Sequence, residues 1–279
     1  MTASRSNYDA YDAMDGFRAT HLKRVLRHTP AHLRYDLDHP AQDTDTGSRK
    51  ALRANHAAIL EGLDVLARDF GVCDERRGTK AHAAWMADNP NRTDIKQGEW
   101  DTAVAIATAI QTHPVTRDLF PGAGEVPVQW VDEESGLTCK ALLDAPRAAH
   151  GLLIDLKTVG SVAEHDSVRL MSTNNWHVQM AHHLPGAIAC GVLPPGSRAG
   201  FLMIEQKPPH DLALYILSPL AMAQAEKERR QALTIIAECT RTGIWPGRYQ
   251  TPMPIDLPLW RYEAGMENED INMDDTEIP

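Results

Sequence analysis

The hydrophobic pattern of this chain changes period near residue 125. Before that point, apolar residues recur at helical spacing. "HLKRVLRH" predicts a helix from Thr20, in the N-cap position, to about His28, and Pro30 opens a second short helical piece ending near Pro40. "SRKALRANHAAILEGLDVLARDFGV" places Leu52, Ile59, Leu60, Leu63 and Leu66 with alanines between, which predicts a helix ending at Gly71. "DERRGTKAHAAWMADNPNRTD" is polar, contains a glycine and a proline, and is expected to be an exposed excursion. "KQGEWDTAVAIATAIQTH" predicts another amphipathic helix, stopped by Pro114. After residue 125 the apolar runs shorten. "EVPVQWVD", "LTCKALLDA" and "GLLIDLKT" read as three strands, the first two joined by the turn "EESG". A long helical stretch follows, with a break expected near residues 172–175. "AGFLMIEQ" and "DLALYILS" form two more strands around "KPPH", and a last helix ends at Gly243.

Helices, three strands, helix, two strands, helix: this order predicts one α/β domain with a central mixed β-sheet flanked by helices and an N-terminal helical region. The expected boundaries are a flexible leader at 1–18, a single domain at 19–262 and an acidic, disordered tail at 263–279. Within the domain, 19–120 is mainly helical and 121–245 forms the α/β core. At 279 residues and 43% apolar content there is chain enough for a sizeable core. No apolar run approaches the length of a membrane span, and the start lacks the apolar centre of a signal peptide, so a cytoplasmic protein with no membrane partner is expected. Cys73, Cys139, Cys190 and Cys239 are scattered without a C-x-x-C pair, which argues for reduced packing residues rather than a disulfide framework or a zinc site. The net charge of −10 speaks against a general nucleic-acid binder. The acids are unevenly placed, however: "ENEDINMDDTEIP" has no base, whereas the first 60 residues are rich in Arg, His and Lys.

The chemistry concentrates in "LLIDLKT". Asp155 and Lys157 are two apart on a buried strand and share one face. Asp144 ends the preceding strand, and pairing of the two strands would bring both acids to one point. Two carboxylates there repel unless a cation lies between them, and a hard divalent ion such as Mg²⁺ suits oxygen ligands. A lysine beside it can hold or polarise a water, or stabilise charge on a phosphoryl oxygen. The plain alternative is a surface ion pair at a strand end.

"LLDAPRAAHGLLIDLKT" resembles the PD-(D/E)XK nucleases, more narrowly the exonuclease VIII (RecE-type) branch related to phage λ exonuclease and the RecB nuclease domain. Asp155, Lys157 and Thr158 match D-[LV]-K-T unchanged. Asp144 fills the first acid's slot, in L-L-D where R-P-D is usual. "SRKALRANHAAILEG" is similar to the family's upstream helix and places its metal-binding histidine at His56, although "KALRAN" replaces the usual L-G-T-A turn. "THLKRVLRHTPAHLRYDL" looks like the opening segment, "NWHVQMAHH" places the family's glutamine at Gln179, and "GIWPGRYQ…LPLW" resembles the closing signature. The resemblance implies a restriction-endonuclease-like core. It implies His56, Asp144, Asp155 and the Leu156 carbonyl as metal ligands, with Mg²⁺ as cofactor and Mn²⁺ as a substitute. It implies Lys157, Asp155, Asp144 and Gln179 in catalysis, with Glu125 either a further acid or a solvated residue at a strand start. Thr158, Lys23, Arg24 and Arg27 are the expected DNA contacts, the basic residues of "HLKRVLRHTPAHLR" being either phosphate contacts or a solvated helix face. Glu61 is expected to be structural, and His182 and His183 to be surface residues.

The activity implied is a Mg²⁺-dependent exodeoxyribonuclease acting on linear duplex DNA from its ends. Digestion would run 5′-to-3′ and leave 3′ overhangs for a single-strand annealing (RecT-like) recombination partner. A ring-shaped homo-oligomer is implied too. The alternatives are a DNA-binding or phage accessory protein with a degraded site, suggested by the altered "LLDAP" and "KALRAN" contexts, and an endonuclease of the same superfamily.

Overall fold

The computed structural model describes residues 3–40, 46–122 and 124–258. Helices α1 (Ala3–Ala13), α2 (Ala19–Arg27), α3 (Pro30–Asp38) and α4 (Gly47–His56) come first, and a π-helical turn (Ala57–Glu61) leads from α4 to α5 (Leu63–Asp69). Strand β1 (Phe70–Val72), helix α6 (Lys80–Asp88), strand β2 (Thr93–Ile95) and helix α7 (Gln97–Thr112) complete the N-terminal part. Then follow β3 (Val126–Val131), β4 (Thr138–Leu143), β5 (Ala145–Arg147), β6 (Leu152–Val159), α8 (Glu164–Thr173), α9 (Trp176–Ala189), β7 (Arg198–Glu205), β8 (Leu212–Ile216) and α10 (Pro219–Thr242).

The central sheet has the order β5-β6-β7-β8 and is mixed. β6 and β7 are parallel, while β5–β6 and β7–β8 are antiparallel. The parallel pair requires a crossover, and α8 and α9 supply it. β3 and β4 form an antiparallel hairpin, and β1 pairs with β2 in a small parallel ladder. β6 is buried on both faces and separates two cores. Leu153 and Val159 join Leu22, Val178, Phe201, Leu233 and Ile236 on one side. Leu152, Ile154 and Leu156 join Ile59, Leu60, Ile106 and Ile110 on the other. Along the first face, the two positions between Leu153 and Val159 are Asp155 and Lys157. That is the departure from a hydrophobic strand that the sequence signals.

Several expectations are corrected. The leader is not loose: residues 3–13 are helical, Asn7 Nδ2 donates to the Glu125 carbonyl (2.7 Å), and Lys140 Nζ donates to the carbonyls of Tyr11 (3.2 Å) and Met14 (2.6 Å). A lysine buried in β4 takes acceptors from this polar segment, which hydrophobic periodicity does not register. Arg18, not Thr20, is the N-cap of α2. The helix expected to reach Gly71 is broken at Gly62, where φ is +108°, a conformation open to glycine. The polar excursion is not wholly exposed, because Asp94 is buried and met by Lys50, Arg77 Nε (3.2 Å) and His82 Nε2 (3.4 Å). The break in the long helical stretch falls where expected, with Asn175 in the left-handed region (φ 47°) between α8 and α9. Of the four free cysteines, Cys190 is exposed and the other three are buried. The acidic tail, with Leu259 and Trp260, lies outside the described residues.

Candidate metal centre

Asp144 sits at a break in a strand. β4 ends at Leu143 and β5 begins at Ala145. The Asp144 carboxylate replaces one rung of the ladder: its Oδ2 accepts the Leu156 N–H at 2.9 Å. Ala145 faces Ile154 across the β5–β6 pair, so position 144 falls beside position 155 at the same end of the sheet. The adjacency that strand spacing suggests is therefore realised, with a short β5 as the pairing element.

Two further side chains come to this point from distant parts of the chain. His56 ends α4, immediately before the π-helical turn, and Glu125 immediately precedes β3. Gly122 N donates to the Leu60 carbonyl (2.8 Å), which ties the approach to β3 to the turn that follows His56. His56, Glu125 and Asp144 each offer a ligand atom within 4.8 Å of the others, and His56 Nδ1 lies 3.5 Å from Glu125 Oε1. Burial, then the neighbouring Asp155 charge, pushes the Asp144 carboxyl up to about 7. Burial alone would lower the His56 imidazole, but Glu125 and Asp144 outweigh it and raise its pKa. The Glu125 side chain is 18% exposed. Its place just before an apolar strand was the one signal in the sequence, and it does not distinguish a ligand from a strand-start acid.

Asp155 was expected among the ligands, but its carboxylate is otherwise engaged. One oxygen accepts from Gln179 Nε2 at 2.5 Å, and the other is ion-paired with Lys157. Burying this charge unpaired would cost several kcal/mol, and one hydrogen-bond donor and one paired cation offset that cost. Lys157 Nζ also lies 5.2 Å from the centre of the Trp176 ring. Burial would lower its pKa, yet Asp155 and Asp144 raise it, so the amine is a firm cation. Gln179 lies on α9, and its Oε1 accepts from Lys23 Nζ of α2 at 2.9 Å. Lys23, Arg24 and Arg27 were expected together as DNA contacts, but their surroundings differ. Arg24 is paired with Asp36 (2.7 Å), Arg27 donates to the Thr173 carbonyl, and Lys23 alone reaches the centre. Leu156 meets the centre through its N–H. Thr158 lies on the opposite strand parity from Asp155, and its Oγ1 is buried without a hydrogen-bond partner.

His182 and His183 are not surface residues. Both are buried, and burial depresses each to about 3. The His183 and Arg229 charges add to the effect on His182, and Lys157 and Lys23 add to that on His183. His182 Nε2 lies 3.2 Å from the Phe17 carbonyl, and its ring packs 4.9 Å from Trp130. Their burial follows from α9 being enclosed by β3, β4, α2 and α10, which its own sequence does not reveal.

One imidazole and two carboxylates, with the Asp144 charge disfavoured by burial and by Asp155, are donors that suit a divalent cation of the Mg²⁺ or Mn²⁺ type. A mixed sheet with D-x-K on a central strand and a further acid at the end of the adjoining strand defines the PD-(D/E)XK fold class. Residues 20–251 match the model of the PDDEXK-like domain of unknown function (DUF3799), and the chain belongs to that family. The fold is also similar to the crystal structure of a "Putative exonuclease" from Eubacterium rectale, at 12% identity and a TM-score of 0.57, over 95% of this chain and 100% of that one. No curated protein matches the chain. Among the described residues no helix is long and apolar enough to cross a membrane.

Proposed function

We propose that this protein is a metal-dependent deoxyribonuclease that removes nucleotides from the ends of linear duplex DNA. One observation carries the reading: the His56, Glu125 and Asp144 ligand atoms converge within 4.8 Å, beside the ion pair of Asp155 and Lys157. His56, Glu125 and Asp144 would hold Mg²⁺ or Mn²⁺, with the Leu156 carbonyl and Asp155 at its edge. The ion supplies charge to the scissile phosphate and acidity to a bound water. Asp155 holds the Lys157 amine in place, and that amine donates to a phosphoryl oxygen as negative charge develops on it. Gln179 holds Asp155. Arg24 and Arg27 remain proposed contacts to the DNA backbone, by release from their partners within the chain; the Thr158 hydroxyl is buried and is not among them.

The finer features rest on the resemblance to the exonuclease VIII branch, and the description of the Eubacterium rectale protein supports the exonucleolytic mode. These features are Mg²⁺ as the working ion, 5′-to-3′ digestion, 3′ overhangs for a single-strand annealing partner, and a homo-oligomeric ring. The test is incubation with linear and covalently closed circular duplexes in Mg²⁺, beside Asp155→Ala. Release of nucleotides from the linear duplex alone, absent in the variant, is the expected result. Nicking of the circle would make the protein an endonuclease. Inert wild type on both substrates would leave a DNA-binding protein of the same fold.

A further inference from the structure

Lys23 is carried to the centre by packing. α2 buries Ala19, Leu22 and Val25, and Lys23 sits beside Leu22 at the margin of that face. Burial, then the Lys157 charge, lowers its amine to about 8, with Asp155 acting in the opposite sense. Placing a lysine there is unfavourable unless its position does something, and its amine donates to a neutral acceptor, Gln179 Oε1 at 2.9 Å.

The donor inventory says what that bond does. An ammonium can only donate, an ionised carboxylate can only accept, and a glutamine amide has one end of each kind. Gln179 lies between Lys23 and Asp155, so only one orientation of its amide satisfies both neighbours. The flipped amide would set NH₂ against ammonium and oxygen against carboxylate. With the amide fixed, Nε2 takes one Asp155 oxygen, the other is left for Lys157, and Lys157 is held over the Trp176 ring.

We propose that Lys23 is a positioning residue: through the Gln179 amide it fixes the Asp155 carboxylate, and through that carboxylate the Lys157 amine. It acts without touching the DNA. The kinetic consequence rests on the nuclease reading, whereas the geometric one does not.

The experiment uses the full-length, metal-free, ¹⁵N-labelled protein. The Gln179 side-chain NH₂ is assigned by its loss in Gln179→Leu, and its exchange with solvent is compared in wild type, Lys23→Met and Lys23→Arg. Exchange is expected to rise about tenfold in Lys23→Met and to return toward wild type in Lys23→Arg. An unchanged Gln179 signal in Lys23→Met overturns the proposal. If Lys23→Met does not fold, Lys23→Gln, which removes the charge and keeps a polar end, is read in the same way. In cleavage assays, kcat is expected to fall about 10- to 100-fold at unchanged KM, the range typical of residues that orient a reactive group. Lys23→Met should add nothing once Gln179 is already leucine. A raised KM at unchanged kcat, or a full effect in the Gln179→Leu background, would make Lys23 a direct DNA contact and overturn the proposal. If wild type cleaves nothing, the nuclease reading falls while the amide measurement still decides the positioning role.

Discussion

Lys157→Ala is expected to lower the cleavage rate by about 10²–10³-fold while leaving divalent-cation binding intact, the range seen when one preorganised donor to a developing oxyanion is removed. The separation of the two effects follows from the geometry. Lys157 is bound to Asp155 and stacked over Trp176, whereas the converging ligand atoms belong to His56, Glu125 and Asp144. An amine held as a firm cation by two carboxylates is suited to donate a hydrogen bond to a phosphoryl oxygen and poorly suited to act as a base. The check pairs single-turnover cleavage with calorimetric titration of Mn²⁺ into the variant. Loss of metal affinity in parallel with rate would place Lys157 in the structural support of the ligands and remove it from the reaction.

The second large effect separates the two aspartates. From the sequence they look alike, as two carboxylates at one point that repel without a cation between them. In the structure Asp144 carries that burden, whereas Asp155 has the Lys157 amine as a charged partner. Folding raises the Asp144 carboxyl from 3.8 to about 7, so the folded state binds its proton more tightly than the unfolded chain does. Its favourable contribution is complete below about pH 4 and is lost as the pH rises through 7. A shift of this size corresponds to a few kcal/mol. Asp144→Asn keeps an oxygen for the Leu156 N–H. It should therefore raise the melting temperature in chelator at pH 8 by about 5 °C and flatten the pH dependence between 4 and 7. Asp155→Asn instead leaves the Lys157 amine without its charged partner. Breaking a buried pair on one side costs about 3 kcal/mol, so this variant should melt lower. Calorimetric melts in chelator across pH 4–8 decide the matter. Two variants shifted in the same direction would contradict the assignment of separate roles.

The contrast shows how far the sequence could be read. The D-x-K pair was legible because a strand apolar on both faces has no local use for an acid and an amine two residues apart. The position of Asp144 was legible from the short connection to β6. The hairpins β3–β4 and β7–β8 were readable from the turn residues "EESG" and "KPPH", whereas β1, β2, the short β5 and the order of the central sheet were not. What could not be read depends on contacts between segments far apart in the chain. Glu125 joins His56 only because the chain before β3 is tied back to the turn after α4. Asp155 turns to Gln179 and Lys157 because α9 packs on that face of β6. α1 was missed because what holds it is hydrogen bonding to a buried lysine, and polar contacts of that kind leave no period in the sequence. His182 and His183 were misplaced for a related reason: a histidine is equally at home on a surface and, when neutral, in a core.

The account turns on the convergence of His56, Glu125 and Asp144 around a cation. A crystal soaked in Mn²⁺ and measured at the manganese absorption edge tests it directly. The expected result is an anomalous peak bounded by the His56 imidazole and the Glu125 and Asp144 carboxylates, absent in a His56→Ala, Asp144→Asn double variant. A fully occupied peak elsewhere, with none between these three side chains, would contradict the account.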